Sequence, residues 1–85
     1  MIFEFAEIRC ILEVLKLLNK NESKYSTMFR ETKVSHTTLQ PVLKELNEKD
    51  FINKHDVGHM KVDYEITDRG NKLLKLLTEL KQLVN

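Results

Sequence analysis

A single cysteine, Cys10, leaves this 85-residue chain no internal disulfide. A lone thiol of this kind fits a reducing, cytoplasmic setting. Glycine is almost as scarce, at two residues, and no glycine-rich phosphate loop, nucleophile elbow or paired metal-ligand motif is written in the chain. Serine, histidine and aspartate occur, but at spacings that spell no triad, so no enzyme and no cofactor are expected. Long apolar runs are missing too: no segment approaches the roughly 18 uninterrupted apolar residues of a membrane helix. The opening residues MIFEFAEIRC mix glutamates with apolar residues, unlike the basic start of a secretory leader. A surplus of charge is lacking as well. Fourteen lysines and arginines face thirteen acids, for a net charge of +1, which argues against a histone-like coat protein. Residues 24–85 carry eleven of those bases against nine acids, a slight tilt only.

What is present is a folding pattern. Hydrophobic residues make up 41% of the chain, enough for one domain over residues 1–85 with one modest core. Residues 1–20 read as a helix in which Phe5, Ile8, Ile11, Leu12, Leu15 and Leu18 form one broad stripe. Phe3, Cys10, Val14 and Leu17 extend the apolar surface to a second face. A helix apolar over so much of its circumference needs cover on two sides, and a second copy of the chain is the expected partner for the second. The run NKNES ends this helix. A short piece at Lys24-Tyr25, a cap at Ser26 and a short helix from Thr27 to Lys33 follow. The next helix, about 36–49, is capped by Ser35 or a threonine just after it. It buries Leu39, Val42, Leu43 and Leu46 and projects Thr37, Gln40, Pro41 and Lys44, with His36 and Asn47 on the flank. Pro41, the only proline, is expected in or just past the first turn, where at most one internal hydrogen bond is lost.

Beyond NEKD the period changes from helical to alternating. FINKHDV and KVDYEIT read as two strands around a Gly58 turn, with Val62, Tyr64 and Ile66 alternating on the second. Thr67 or Asp68 starts a last helix over residues 67–85. In it Leu73, Leu76, Leu77, Leu80, Leu83 and Val84 share a face, and Leu73, Leu77, Leu80 and Val84 fall at the 4-3-4 spacing of a short coiled-coil seam.

The motif Thr38-Leu39-Gln40-Pro41-Val42-Leu43-Lys44-Glu45-Leu46, followed by Phe51-Ile52, resembles the recognition-helix signature of PadR-type transcriptional regulators. Tyr64-Glu65-Ile66-Thr67-Asp68-Arg69-Gly70 is similar to the segment that closes the wing in PadR, MarR and related families, and YSTMFRETKVSHTTL to the two-helix core of winged-helix regulators. Two positions depart from the pattern: Lys33 and Asp50 stand where such units usually carry glycine. The resemblance implies an α+β, mostly helical winged helix-turn-helix. Residues 24–50 would form the helix-turn-helix, residues 51–66 the wing, and residues 67–85 a C-terminal dimerisation helix.

The function that the resemblance implies is sequence-specific binding of double-stranded DNA by a homodimeric transcriptional regulator. Residues 36–49 would enter the major groove, with Gln40 suited to an adenine edge and Thr37, Thr38 or Pro41 to neighbouring base edges and methyls. Lys44, His36 and Arg30 would meet phosphates, and the hairpin tip, about 54–61, would bring Lys54, His55, His59 and Lys61 to the backbone or minor groove. Phe3, Cys10, Val14, Leu17, Leu73, Leu77, Leu80 and Val84 would form the dimer interface. Three other readings stay open: a metal held by His55, His59 and Asp56, an architectural nucleoid protein, and a winged helix used only for protein–protein contacts.

Overall fold

The computed structural model describes the backbone of residues 5–56, 58 and 62–84 and the side chains of residues 7–56, 58 and 62–83. The chain runs α1 (Phe5–Asn19), α2 (Tyr25–Thr32), α3 (His36–Glu48), β1 (Ile52–Asp56), β2 (Val62–Ile66) and α4 (Asp68–Val84). This is the mostly helical α+β architecture expected from the sequence, with β1 and β2 as one antiparallel pair, Ile52 opposite Ile66 and Asp56 opposite Val62.

Helix α1 is the centre of the molecule. It packs against α2, α3, α4 and β2, and it buries Cys10, Ile11, Leu12, Val14, Leu15 and Leu18. Met28 of α2, Leu39, Val42, Leu43 and Leu46 of α3, and Ile52 of β1 complete the core. At roughly 1.5–3 kcal/mol per buried aliphatic side chain, this shared core is what holds short helices that would not persist alone.

The surroundings of α1 correct the expected dimer interface. Cys10 is 2% exposed and Val14 not at all, so both belong to the protomer's own core and have no surface to give a partner. Leu17, Leu73 and Leu77 are half-buried against that same core. The second apolar face of α1 is covered within the chain by α4. The surface that α4 leaves outward is instead Leu76, Leu80 and Leu83, exposed to 62%, 43% and 82%. Of the expected interface residues only Leu80 lies on that outward strip; Phe3 and the side chain of Val84 lie outside the described residues.

Helix ends are set by backbone turns in the left-handed region. Asn21 (φ 66°) follows α1, Lys33 (φ 59°) follows α2 and Asp50 (φ 62°) follows α3. After α1 and α3 the hydrogen bonds form the same closing pattern, Glu22 N–H to Leu17 C=O with Asn21 N–H to Leu18 C=O, and Phe51 N–H to Leu46 C=O with Asp50 N–H to Asn47 C=O. The two positions where glycine is usual therefore keep the glycine conformation without the glycine.

Helix α2 begins earlier than the serine at position 26 implies. Lys24, extended at φ −94° and ψ 139°, precedes the first turn and is bridged to Asp63, while the Tyr64 N–H donates to the Ser23 carbonyl. That edge pairing with the hairpin fixes the helix start one residue before Ser26.

Candidate nucleic-acid interface

The N-terminus of α3 is held by its neighbours. Ser35 is the N-cap in extended conformation, and its carbonyl accepts from the N–H groups of Thr38 and Leu39. Its hydroxyl pairs with Thr37 Oγ1 at 2.8 Å and lies 3.4 Å from Thr38 Oγ1. His36, the first helical residue, is clamped by α2. Its ring lies on Phe29 with centroids 3.9 Å apart, and its Nδ1 is 2.7 Å from the Tyr25 hydroxyl. His36 is exposed, yet its placement at the α2–α3 junction is that of a tie between helices.

Pro41 is the sixth residue of α3. With the cap at Ser35 it lies just past the first turn, as the sequence implies, and the helix forfeits one bond, the one that residue 41 would donate to the Thr37 carbonyl. Both Thr37 and Pro41 are exposed. Gln40 and Lys44 are exposed beside them, whereas Thr38 is half-buried. The face opposite is consumed by Leu39, Val42, Leu43 and Leu46 in the core. Helix α3 thus presents one polar strip, Thr37-Gln40-Pro41-Lys44, on a firmly seated back.

The hairpin has two faces of different character. Lys54 lies opposite Tyr64 on the face turned to α3, and His55 lies opposite Asp63 on the other. There His55 Nε2 stands 4.0 Å from a Glu65 carboxylate oxygen. Two carboxylates therefore surround His55, an unfavourable place for a phosphate contact, and the lysine face is the one aimed at α3. Arg30 is exposed on α2, with its Nε 4.0 Å from Glu31; at that distance and exposure the pair holds it weakly. His59 and Lys61 lie outside the described residues. So does the metal alternative that uses His59; among the described residues no group of three histidines, cysteines or acids is placed to hold a metal.

Between α3 and the lysine face of the hairpin runs an open cleft of about 580 Å³, with Gln40, Lys44 and Asn47 on one wall and Tyr25, Lys54 and Tyr64 on the other. Burial pushes the Tyr64 phenol above its ordinary pKa, with Tyr25 and Asp56 adding to the shift; the group stays a neutral hydrogen-bond donor. The Cys10 thiol is also raised, first by burial and then by Glu13 and Glu7. Tyr25, Asn47 and Tyr64 are site residues that the sequence reading did not assign. Gln40, Lys44 and Asn47 at i, i+4 and i+7 mark one wall, but the facing wall depends on the strand register.

Where α3 ends, one threonine links three elements. The Thr67 hydroxyl lies 2.6 Å from the Asp50 carbonyl and 3.0 Å from that of Phe51, and it accepts the Gly70 N–H at 3.0 Å. Gly70 is buried against the same carbonyl: a Cβ there would overlap the Phe51 oxygen and come within 2.8 Å of Ile66 Cγ1. The threonine and glycine of the wing-closing motif are thus the N-cap and the close approach of α4. Arg69 adds a cation–π contact, its guanidinium 5.0 Å from the centre of the Phe51 ring.

Among the described residues no helix is long and apolar enough to cross a membrane. A family model described as winged helix-turn-helix matches residues 6–85. No curated protein matches the chain.

Proposed function

From the premise that this chain belongs to the winged helix-turn-helix family, we propose that it binds double-stranded DNA sequence-specifically as a homodimeric transcriptional regulator of PadR- or MarR-like type. The observation that carries the reading is the strip Thr37-Gln40-Pro41-Lys44, exposed on a helix whose other face is locked in the core. A rigid helix with an amide, a hydroxyl, an apolar ring and a lysine in line suits the major groove: the amide reads an adenine edge, the ring meets a thymine methyl and the lysine meets a phosphate. Lys54 and Arg30 add backbone contacts on either side. His36 acts chiefly by fixing the angle of α3.

Support for the dimer is the outward strip Leu76, Leu80 and Leu83 on α4. Its i, i+4, i+7 spacing makes a continuous apolar ridge, which a second copy would bury by isologous pairing. Such pairing would set two α3 helices about 34 Å apart, one turn of DNA.

Selection of random duplexes against the pure protein tests the proposal. A palindromic consensus bound with a steep salt dependence is the expected result. The net charge of +1 favours, as a second reading, a winged helix used only for protein contacts; that reading gains if no duplex is recovered. A featureless pool of recovered duplexes identifies an architectural DNA-binding protein instead.

A further inference from the structure

The two strands of the hairpin differ in how fully they are paired. Strand β2 lies between β1 and Lys24, and the Tyr64 N–H donates away from β1, to the Ser23 carbonyl. A strand residue carries its N–H and C=O on the same edge, and bonded and non-bonded pairs alternate along an antiparallel ladder. Tyr64 and Lys54, which stand opposite each other, are therefore a non-bonded pair. The bonds between the strands run through Asn53 with Glu65 and His55 with Asp63, and the main-chain groups of Lys54 and Asp56 point to the outer edge of β1. Among the described residues no main-chain group meets them there, and residues 53–56 are all exposed.

An open edge is a template for one more strand, and the charges on this one select which strand fits. Lys54 and Asp56, two positions apart, share one face of the hairpin. A lysine on an edge ordinarily wards off pairing, and a partner segment of one charge sign would meet one attraction and one repulsion here. An antiparallel copy of β1 itself escapes this. Registers centred on Lys54 or on Asp56 set like charges opposite each other. The register centred on His55 sets Lys54 of each copy opposite Asp56 of the other, so that an ion pair stands on either side of the two-fold axis above a pair of main-chain hydrogen bonds.

We propose that the outer edge of β1 pairs with β1 of a second copy of this chain, antiparallel and centred on His55, joining two hairpins into one continuous sheet. The contact is isologous and closes on itself. It uses a different element from the leucine strip of α4, so a molecule engaged through both would link copies in a row. The inference does not depend on the DNA-binding reading. Strand pairing lies in the plane of the sheet, so the face that turns Lys54 to α3 stays uncovered. The overlap is short, which makes the contact too weak to join free molecules at micromolar concentration. It acts where copies are crowded together.

Amide hydrogen exchange of the full chain, followed by NMR from micromolar to millimolar concentration, reads the edge directly. The Lys54 and Asp56 amides should slow progressively as concentration rises, while those of Asn53 and His55, already bonded to β2, should not change. Asp56→Lys turns both ion pairs into repulsions and should weaken the association by about tenfold. The double variant Lys54→Asp, Asp56→Lys restores opposite charges in the same register and should recover it. Lys54→Pro deletes an outward N–H without touching the bonds to β2 and should abolish the association, which repeats the test should a charge variant fold poorly. Lys54 and Asp56 amides that exchange at the same rate at every concentration overturn the proposal. So does an association that Asp56→Lys leaves unchanged. Slowing that appears only when a DNA duplex is added, and not with concentration, overturns the second copy as occupant and assigns the edge to the duplex.

Discussion

The imidazole of His36 lies flat on the ring of Phe29, with centroids 3.9 Å apart and planes 3° from parallel. This contact joins the first residue of α3 to the second turn of α2, and the Tyr25 hydroxyl secures it from the side. The angle at which α3 leaves the domain therefore depends on three planar side chains near the surface. His36→Ala should cost about 1 kcal/mol from the lost stack and hydrogen bond, a fall of about 4–8 °C in melting temperature for a domain of this size. Tyr25→Phe, which keeps the ring and deletes the hydroxyl, should cost less. Thermal melts of the two variants check the order.

Gly70 and Thr67 make a second, sharper test of the fold. Gly70→Ala drives a methyl group into the Phe51 carbonyl and Ile66, and a loss of about 1–3 kcal/mol is expected from such overpacking. Thr67→Ala removes the α4 cap and a hydroxyl that reaches two carbonyls, for about 0.5–2 kcal/mol. Thr67→Ser should recover most of the second loss. Urea denaturation of all three variants measures the difference.

On the DNA side, Gln40→Ala and Thr37→Ala should each weaken binding to a selected site by roughly 1–3 kcal/mol and leave binding to random duplex nearly unchanged. Lys54→Ala and Arg30→Ala should weaken both, each flattening the dependence of log affinity on log salt by about one unit. Fluorescence anisotropy across a salt series separates the two classes. Equal losses on selected and random DNA from the first pair would show that the α3 strip reads no bases.

The leucines of α4 divide into two sets with different expected outcomes. Leu80→Glu and Leu76→Glu change outward residues and should abolish the dimer while the protomer keeps its helical spectrum. Leu73→Glu, turned to the core, should unfold the domain. Sedimentation of wild type and variants at micromolar concentration checks both statements, and a monomeric wild type would remove the dimer together with the expected palindromic site.

Much of this arrangement is legible before any coordinates are known, because periodicity reports which residues share a face. Leu39, Val42, Leu43 and Leu46 mark the buried side of α3, and the alternation of Val62, Tyr64 and Ile66 marks a strand. Periodicity does not report what covers a face. The apolar side of α1 that carries Cys10 and Val14 reads as a dimer surface, and only the return of α4 onto α1 shows that the chain covers it itself. The start of α2 escapes for a related reason: Lys24 is held by Asp63, thirty-nine residues away. The cleft depends on the same kind of distant pairing, since Tyr64 and Lys54 face α3 together only in one strand register.

The three left-handed helix ends at Asn21, Lys33 and Asp50 bear on the unfolded chain as well as the folded one. A non-glycine residue in this conformation costs roughly 1–2 kcal/mol in the native state, but glycine at the same place would give the denatured ensemble more freedom to lose on folding. With only two glycines, the chain accepts local strain in return for a stiffer disordered state. The two effects oppose each other, so glycine at Lys33 or Asp50 would shift stability by much less than the strain alone implies. A domain near the lower limit of size for a self-sufficient core thus draws part of its stability from the conformations its denatured form cannot visit.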